Sequence, residues 1–281
     1  MGQITSYVRA RSVEEAVQIL RERCGKAVPL AGGTSLSLHL PAGVDTLVDL
    51  SQAGLSGVRE TPDHVVIGAL TPLADLAASP VVQTAFDGVL AKAAGKVAAT
   101  PLRNRITLGG NAVQVYWWSD LPAVLLALDA QFVLQATGER RLPAAEFFAN
   151  QPRRMLAPHE LVTQVLLPKG EWPVQAAHVK VARTGFDFAA LSVCCVCHMD
   201  GPRVAQAAVT LGAVRPLPVR VQAAEDEIVG KVQDRHAVVN AAARAAGAVD
   251  PAQDVRYSKE YRTQLIKVWV KRALSRALRL E

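Results

Sequence analysis

The stretches Leu30-Ala31-Gly32-Gly33-Thr34-Ser35-Leu36 and Thr107-Leu108-Gly109-Gly110-Asn111 decide how this chain is read. Each is a glycine pair beside hydroxyl residues. The first follows a short β-prone run from Ala27, and the second follows Arg103-Asn104-Arg105-Ile106. Glycine lets a backbone come close to an anion, and consecutive amides with Thr or Ser hydroxyls offer phosphate oxygens several donors. Two such loops could hold a pyrophosphate from two sides, or they could be two tight structural turns. Neither has the G-x-G-x-x-G spacing of a dinucleotide fingerprint, and no G-x-x-x-x-G-K-[ST] phosphate loop occurs.

Around the loops the patterning alternates irregularly between helix and strand. Ser12, with Glu15 as capping-box partner, starts a helix whose face is Val13, Ala16, Val17 and Leu20, and Gly25 ends it. Residues 46–50 and 64–69 read as strands, and Thr71-Pro72 and Ser79-Pro80 as helix starts. Ser119 is the expected cap of a helix over 120–128. Strands are expected over 131–136, 161–167 and 177–182. Beyond Lys169-Gly170-Glu171-Trp172-Pro173 a β-meander takes over, turning at Asp200-Gly201, and helices follow from about Gln222, His236 and Ser258. The order is that of an α+β chain rather than a βαβ series. A domain boundary near Pro173 divides it into 1–172 and 173–281.

The 281 residues are half hydrophobic and 20% charged, which excludes a disordered chain because that much apolar surface can be buried to offset chain entropy. No apolar run reaches the roughly 18 residues of a membrane span, and Met1-Gly2-Gln3-Ile4-Thr5-Ser6 lacks the apolar block of a secretory signal. The expectation is a cytoplasmic protein with no membrane span. The net charge of +6 gathers in 256–281, where Arg256, Lys259, Arg262, Lys267, Lys271, Arg272, Arg276 and Arg279 face only Glu260 and Glu281. Lacking the regular aromatic interleaving that a stacking groove for single strands requires, this reads as a solvated helix face or a protein-docking surface, and not as a nucleic-acid groove.

Cys194-Cys195-Val196-Cys197-His198 contains the Cys-x-x-Cys-His pattern of haem attachment. On a strand, however, Cys194 and Cys197 point to opposite faces, so buried strand thiols are expected instead. There is no G-x-S-x-G elbow and no H-E-x-x-H, and His39, His64, His159, His178, His198 and His236 are dispersed without metal-ligand spacing. No acid, base or metal centre stands out. An organic cofactor is then the natural carrier of any chemistry.

At the two glycine loops the sequence resembles the FAD-binding medium subunits of molybdenum hydroxylases, such as aerobic carbon monoxide dehydrogenase, and the middle domain of xanthine dehydrogenase. The resemblance spans nearly the whole chain. Besides the loops it rests on Tyr7-Val8-Arg9, Ser12-Val13-Glu14-Glu15-Ala16, Arg103-Asn104, Asp120-Leu121-Pro122-Ala123, Asp187-Phe188-Ala189, Leu211-Gly212-Ala213-Val214, Pro218-Val219-Arg220, Tyr261-Arg262 and Arg272-Ala273-Leu274. It implies a two-subdomain FAD-binding fold of the vanillyl-alcohol-oxidase/PCMH type, with subdomains at about 1–55 and 56–172. A smaller C-terminal α+β domain, a three-stranded sheet with helices, is implied over 173–281.

Carried over by motif, the pyrophosphate of non-covalent FAD would lie on Leu30, Ala31, Gly32, Gly33, Thr34, Ser35 and Leu36 and on Thr107, Leu108, Gly109, Gly110 and Asn111, through their amides and hydroxyls. Asp120 would accept hydrogen bonds from ribose or ribityl hydroxyls, Val162 would lie beside the adenine, and Lys180 near the isoalloxazine. No metal ligand and no catalytic residue is implied in this chain. The resemblance implies an electron-transfer subunit in a dimer of heterotrimers, with the molybdenum cofactor on a large partner and [2Fe-2S] clusters on a small one. Electrons would pass from the iron-sulfur subunit through FAD to an external acceptor. The chain departs from the family over Ala112 to Ser119, where Tyr116-Trp117-Trp118 stands in place of the small polar residues common there, so the edge of the site is expected to be shaped differently. With the basic tail, the Trp117-Trp118 pair is a candidate docking or shielding surface. The alternative reading is a self-contained FAD-dependent oxidase or dehydrogenase, which would need a substrate domain and a base that the sequence does not offer.

Overall fold

The computed structural model describes residues 4–185 and 187–280, so Met1-Gly2-Gln3 of the opening stretch and Glu281 of the basic tail lie outside it. Strands β1 (Ser6–Arg9), β2 (Ala27–Leu30) and β3 (Thr46–Asp49) form a parallel sheet in the order β1-β3-β2. Parallel strands need crossover connections, and the helix Val13–Glu22 makes the one from β1 to β2, which lie on either side of β3. Ser12 Oγ accepts from the Glu15 amide at 3.1 Å, while the Glu15 carboxylate reaches back to the amide of Arg11 at 2.7 Å, one residue earlier than a standard capping box. Ala16, Val17 and Leu20 are the buried face, as the periodicity predicts. Asp49 ends β3 and collects the Tyr7 hydroxyl at 2.6 Å, the Arg9 guanidinium at 3.1 Å and the Ser51 amide at 2.9 Å. Burial pushes its carboxyl up, but these donors outweigh burial and hold it at about 2.

A second, antiparallel sheet comprises β4 (Val58–Glu60), β5 (His64–Gly68), β6 (Gln131–Gln135), β7 (Glu139–Pro143) and β8 (Leu161–Pro168), in the order β4-β5-β8-β6-β7. Its helices lie mostly between β5 and β6. Phe132 stacks on Phe147 with centroids 3.8 Å apart, and Phe148 meets Phe132 edge-on at 5.5 Å. The β6–β8 register slips between Val133 and Leu134, leaving Thr163 as the extra residue of a bulge. Its carbonyl accepts the amide of Ala69, which follows β5.

The last sheet, β9 (Val174–Val181), β10 (Leu191–Asp200), β11 (Arg203–Gly212) and β12 (Val219–Arg220), has the order β12-β11-β10-β9. The expected three-stranded sheet thus gains a two-residue edge strand. Alternate residues go to different cores. Ala176, Cys194, Val196 and Ala208 pack toward the first two sheets, whereas Val193, Cys195, Cys197 and Val209 pack under the helices Arg235–Ala248 and Lys259–Ala277. A sheet covered on both faces needs mostly apolar residues at successive positions, which explains the continuously buried run over 191–197, polar only at Ser192. Cys194 and Cys197 do point to opposite faces, and burial pushes the thiols up, that of Cys197 to about 12. Among the described residues no helix is long and apolar enough to cross a membrane.

Two expectations change. The helix Leu121–Ala127 starts one residue later than predicted, so Asp120 rather than Ser119 holds the cap position, and its carboxylate does not cap the helix. The basic tail is not wholly a solvated face, because Arg262 is fully buried. Its guanidinium donates to Asp254 at 2.8 Å and to the Ala252 carbonyl, and lies over the Trp117 ring with 5.5 Å to the centroid. Trp117 in turn donates its indole N–H to the Ala213 carbonyl at 3.0 Å, which anchors one ring of the candidate docking or shielding pair.

Because Phe132 joins the stacked pair and the edge-on ring in a fully buried position, Phe132→Ala should cost about 3–5 kcal/mol, read as a lower urea midpoint.

Candidate cofactor cleft

The two glycine loops meet. A β-carbon on Gly32 would stand 1.6 Å from the Arg105 carbonyl oxygen, so only glycine lets the first loop rest on the segment leading into the second. Gly33 adopts φ +77°, the left-handed region that glycine tolerates freely. The Gly109 amide donates to the Ala69 carbonyl at 2.8 Å, and a β-carbon there would lie 2.7 Å from the Ala69 methyl. Over this floor opens a cleft of about 850 Å³. Ala31, Gly32, Gly33, Thr34, Ser35, Leu36, Thr107, Gly109, Gly110, Asn111, Asp120, Val162 and Lys180 all line it. Leu30 and Leu108 do not. Leu108 is fully buried in the core beneath, and Leu30 is the last residue of β2.

The loops differ in what they offer. In the second, the amides of Leu108, Gly109, Gly110 and Asn111 donate to Thr71 O, Ala69 O, Thr107 Oγ1 and Thr107 O, so the expected backbone cradle is already engaged inside the protein. In the first, the amides of Gly32, Gly33, Thr34, Ser35 and Leu36 make no hydrogen bond among the described residues. The backbone donors for an anion therefore belong to the first loop, and the second contributes the Thr107 hydroxyl and the Asn111 side chain. Asn111 Oδ1 is buried and finds no partner among the described residues.

A polar group from three elements forms the far wall. Asp120 Oδ2 lies 3.5 Å from Lys180 Nζ on β9, and both side chains are nearly shut off from solvent. Lys180 also reaches the Lys96 carbonyl at 3.4 Å. Burial pushes the Asp120 carboxyl up, and Lys180 and the Ser192 hydroxyl pull against that without cancelling it. Its other oxygen, Oδ1, is buried without a partner among the described residues, so Asp120 retains a free acceptor. Behind it, buried His178 shares a 2.9 Å hydrogen bond with Ser192. Burial, with Lys96 and Lys180 adding to it, holds this imidazole down at about 3, and it stays neutral near pH 7.

Sequence reasoning missed the aromatic rim, although the departure at Tyr116-Trp117-Trp118 marked its position. Tyr116 and Trp118 stack 5.0 Å apart and nearly parallel, and Phe188 stacks on Trp118 at 4.3 Å. The Tyr116 hydroxyl hydrogen-bonds Ser35 Oγ at 2.8 Å, tying the rim to the first glycine loop. All three rings line the cleft. Among the described residues no three His, Cys, Asp or Glu side chains cluster as a metal site.

A large, mostly apolar cleft lined both by unbonded amides of the first loop and by free buried acceptors on Asn111 and Asp120 defines a protein that binds an extended anionic cofactor with hydroxyl groups. The profile of the FAD-binding domain in molybdopterin dehydrogenase matches residues 3–170, and that of the CO dehydrogenase flavoprotein C-terminal domain matches residues 176–277. The carbon monoxide dehydrogenase medium chain of Hydrogenophaga pseudoflava is 33% identical over 276 residues, 96% of each chain. The 6-hydroxypseudooxynicotine dehydrogenase complex subunit alpha of Paenarthrobacter nicotinovorans is 32% identical over 278 residues, 97% of this chain and 94% of that one. The solved carbon monoxide dehydrogenase from Hydrogenophaga pseudoflava lacking the Mo-pyranopterin moiety of its cofactor superposes with a TM-score of 0.91, at 34% identity over 99% of this chain and 98% of that chain. The chain belongs to the FAD-binding medium subunits of the molybdenum hydroxylase family. The cleft fits FAD: the unbonded amides of Gly32 to Leu36 suit a pyrophosphate, and Asn111 Oδ1 and Asp120 Oδ1 are acceptors for amino or hydroxyl groups.

The wall also sets a pH dependence. Unfolded His178 titrates near 6.5 and the folded residue near 3, so between those values the unfolded chain holds the extra proton. This contribution to stability is complete above pH 6.5 and falls by about 1.4 kcal/mol per unit as the pH drops toward 3. The urea midpoint of the wild type should fall more steeply from pH 7 to pH 5 than that of His178→Gln. Parallel pH profiles would show that His178 is not held neutral.

Proposed function

We propose that this chain binds FAD non-covalently and serves as the electron-transfer subunit of a heterotrimeric molybdenum-containing dehydrogenase. In this reading it takes electrons from an iron-sulfur subunit and passes them to an external acceptor, with the molybdenum cofactor and [2Fe-2S] clusters on its partners. The observation that carries it is the cleft itself: a row of unbonded amides from Gly32 to Leu36 lines the same cleft as buried, unpaired acceptors on Asn111 and Asp120. Bound FAD would supply the capacity to accept electrons singly and release them in pairs.

The chain's own residues have distinct parts. The first-loop amides and the Thr34 hydroxyl hold the pyrophosphate, with Thr107 opposite. Asp120 fixes hydroxyl groups through Oδ1 while Lys180 balances its charge across 3.5 Å. Lys180 also places a cation at the wall, where it would favour the anionic form of a reduced ring. Val162, next to the Thr163 bulge, offers an apolar contact for the adenine. The substrate is chosen by the large partner, consistent with relatives named for carbon monoxide and for 6-hydroxypseudooxynicotine.

The test is the visible spectrum of the purified chain, followed by denaturation to release the chromophore and by co-purification of partners. The expected result is released FAD together with a large and a small metal-bearing chain. A chain that holds no FAD even after reconstitution would overturn the reading. Gly32→Ala, which forces the two loops apart, should retain less than about a tenth of the wild-type flavin at unchanged circular dichroism.

A further inference from the structure

Next to the cleft lies a second cavity, of about 450 Å³, lined by Arg183, Arg256, Tyr257, Ser258 and Tyr261 together with Val181, Ala182 and Ala190. Its lining contains two guanidinium groups and no carboxylate. Glu260, in the first turn of the same helix, is exposed and outside the lining, and Asp254 lies 3.4 Å from Arg256 while also serving Arg262 at 2.8 Å. One carboxylate shared between two guanidiniums leaves the neighbourhood positive. Arg256 Nη1 is buried and has no hydrogen-bond partner among the described residues, a costly state for a charged donor unless something else meets it. Tyr257 and Tyr261 stack with centroids 5.8 Å apart, and Tyr261 is half exposed, so the same cavity offers a planar apolar surface. The cavity and the cleft share a wall, because Arg256 lies over the Phe188 ring at 5.8 Å and Phe188 lines the cleft.

We propose that this cavity binds a planar organic anion, namely the oxidised form of the external acceptor, held by Arg183 and Arg256 and stacked along Tyr257 and Tyr261 beside the flavin cleft. The proposal rests on the FAD reading for the acceptor's role, though not for binding of the anion. The transfer balances as two electrons and one proton leaving the anionic reduced flavin, with a second proton taken from solvent, to reduce a quinonoid acceptor to its dihydro form.

The probe is dichlorophenolindophenol, a planar phenolate at neutral pH whose quinone-imine takes up two electrons and two protons. Its equilibrium dialysis against the full chain, with and without FAD, is compared for wild type, Arg256→Gln, Arg183→Gln and Arg256→Lys. Removing a charged donor should weaken binding about tenfold in each Gln variant, with Arg256→Lys recovering part of it. The cationic dye methylphenazinium should bind no more weakly to the Gln variants than to wild type. Equal affinity of wild type and both Gln variants for the anionic dye, at an unchanged flavin spectrum, would overturn the proposal. So would displacement of the dye by FAD, which would make the cavity an extension of the flavin cleft. A chain that fails to hold FAD but still binds the dye through Arg256 would refute the flavin reading while keeping the anion site.

Discussion

Everything at the cleft depends on the contact between Gly32 and the Arg105 carbonyl, where no side chain has room. From that point a series of backbone hydrogen bonds runs through the floor. The Ile106 carbonyl receives the Leu73 amide, Thr107 caps the next helix, Gly109 donates to Ala69, and Ala69 donates to the bulged Thr163. Backbone groups packed this closely cannot drift independently, so the first loop is positioned by a strand distant in sequence. Gly32 and Gly109 are thus required by protein packing against protein. The loop that offers its amides to a ligand is the one left unbonded by this arrangement.

The opposite wall depends on a sheet that has no solvent face. His178, Lys180, Ser192 and Thr210 lie on the side turned toward the helix Leu121–Ala127, and Thr210 Oγ1 donates to the Ala123 carbonyl at 2.7 Å. Gly212 continues that side, with a β-carbon there only 3.2 Å from the Ala123 methyl. The close approach of sheet to helix is what removes water from Asp120 and Lys180. A buried ion pair of this kind is weak evidence for stability, since desolvation offsets most of the attraction. Its presence is better explained by the acceptor it keeps fixed and unpaired at the cleft.

Much of this was legible in the sequence because the governing signals were local. The helix cap at Ser12, the strand over Ala27–Leu30 and the alternation that separates Cys194 from Cys197 all follow from a few neighbouring residues, whereas the stretch read as a second glycine loop is the first turn of the helix Leu108–Gln114, capped by Thr107. The bonding of the second loop was not legible, because its amides are taken by Ala69 and Thr71, whose proximity arises from sheet geometry. The Thr163 bulge escaped for the same reason: a slip of register is a relation between two strands and leaves no mark on one. The pairing of the Tyr116 hydroxyl with Ser35 joins residues 81 apart, and only the unusual composition at 116–118 hinted at it.

Charge counted along the chain also misleads about the surface. The surplus falls on the last helix and the segment before it, yet Arg262 is turned wholly inward, where Asp254 neutralises it and Trp117 covers it. That inward turn has a consequence at the cleft. Trp117 is anchored between Arg262 and the Ala213 carbonyl, and its two neighbours in sequence, Tyr116 and Trp118, project into the cleft instead. One bulky residue of the three is the anchor and the other two are the wall. A small polar segment could supply neither, so the rim depends on the departure at 116–118, which the buried Arg262 of the terminal helix holds in place. That contact ties the rim of the cleft to the terminal helix.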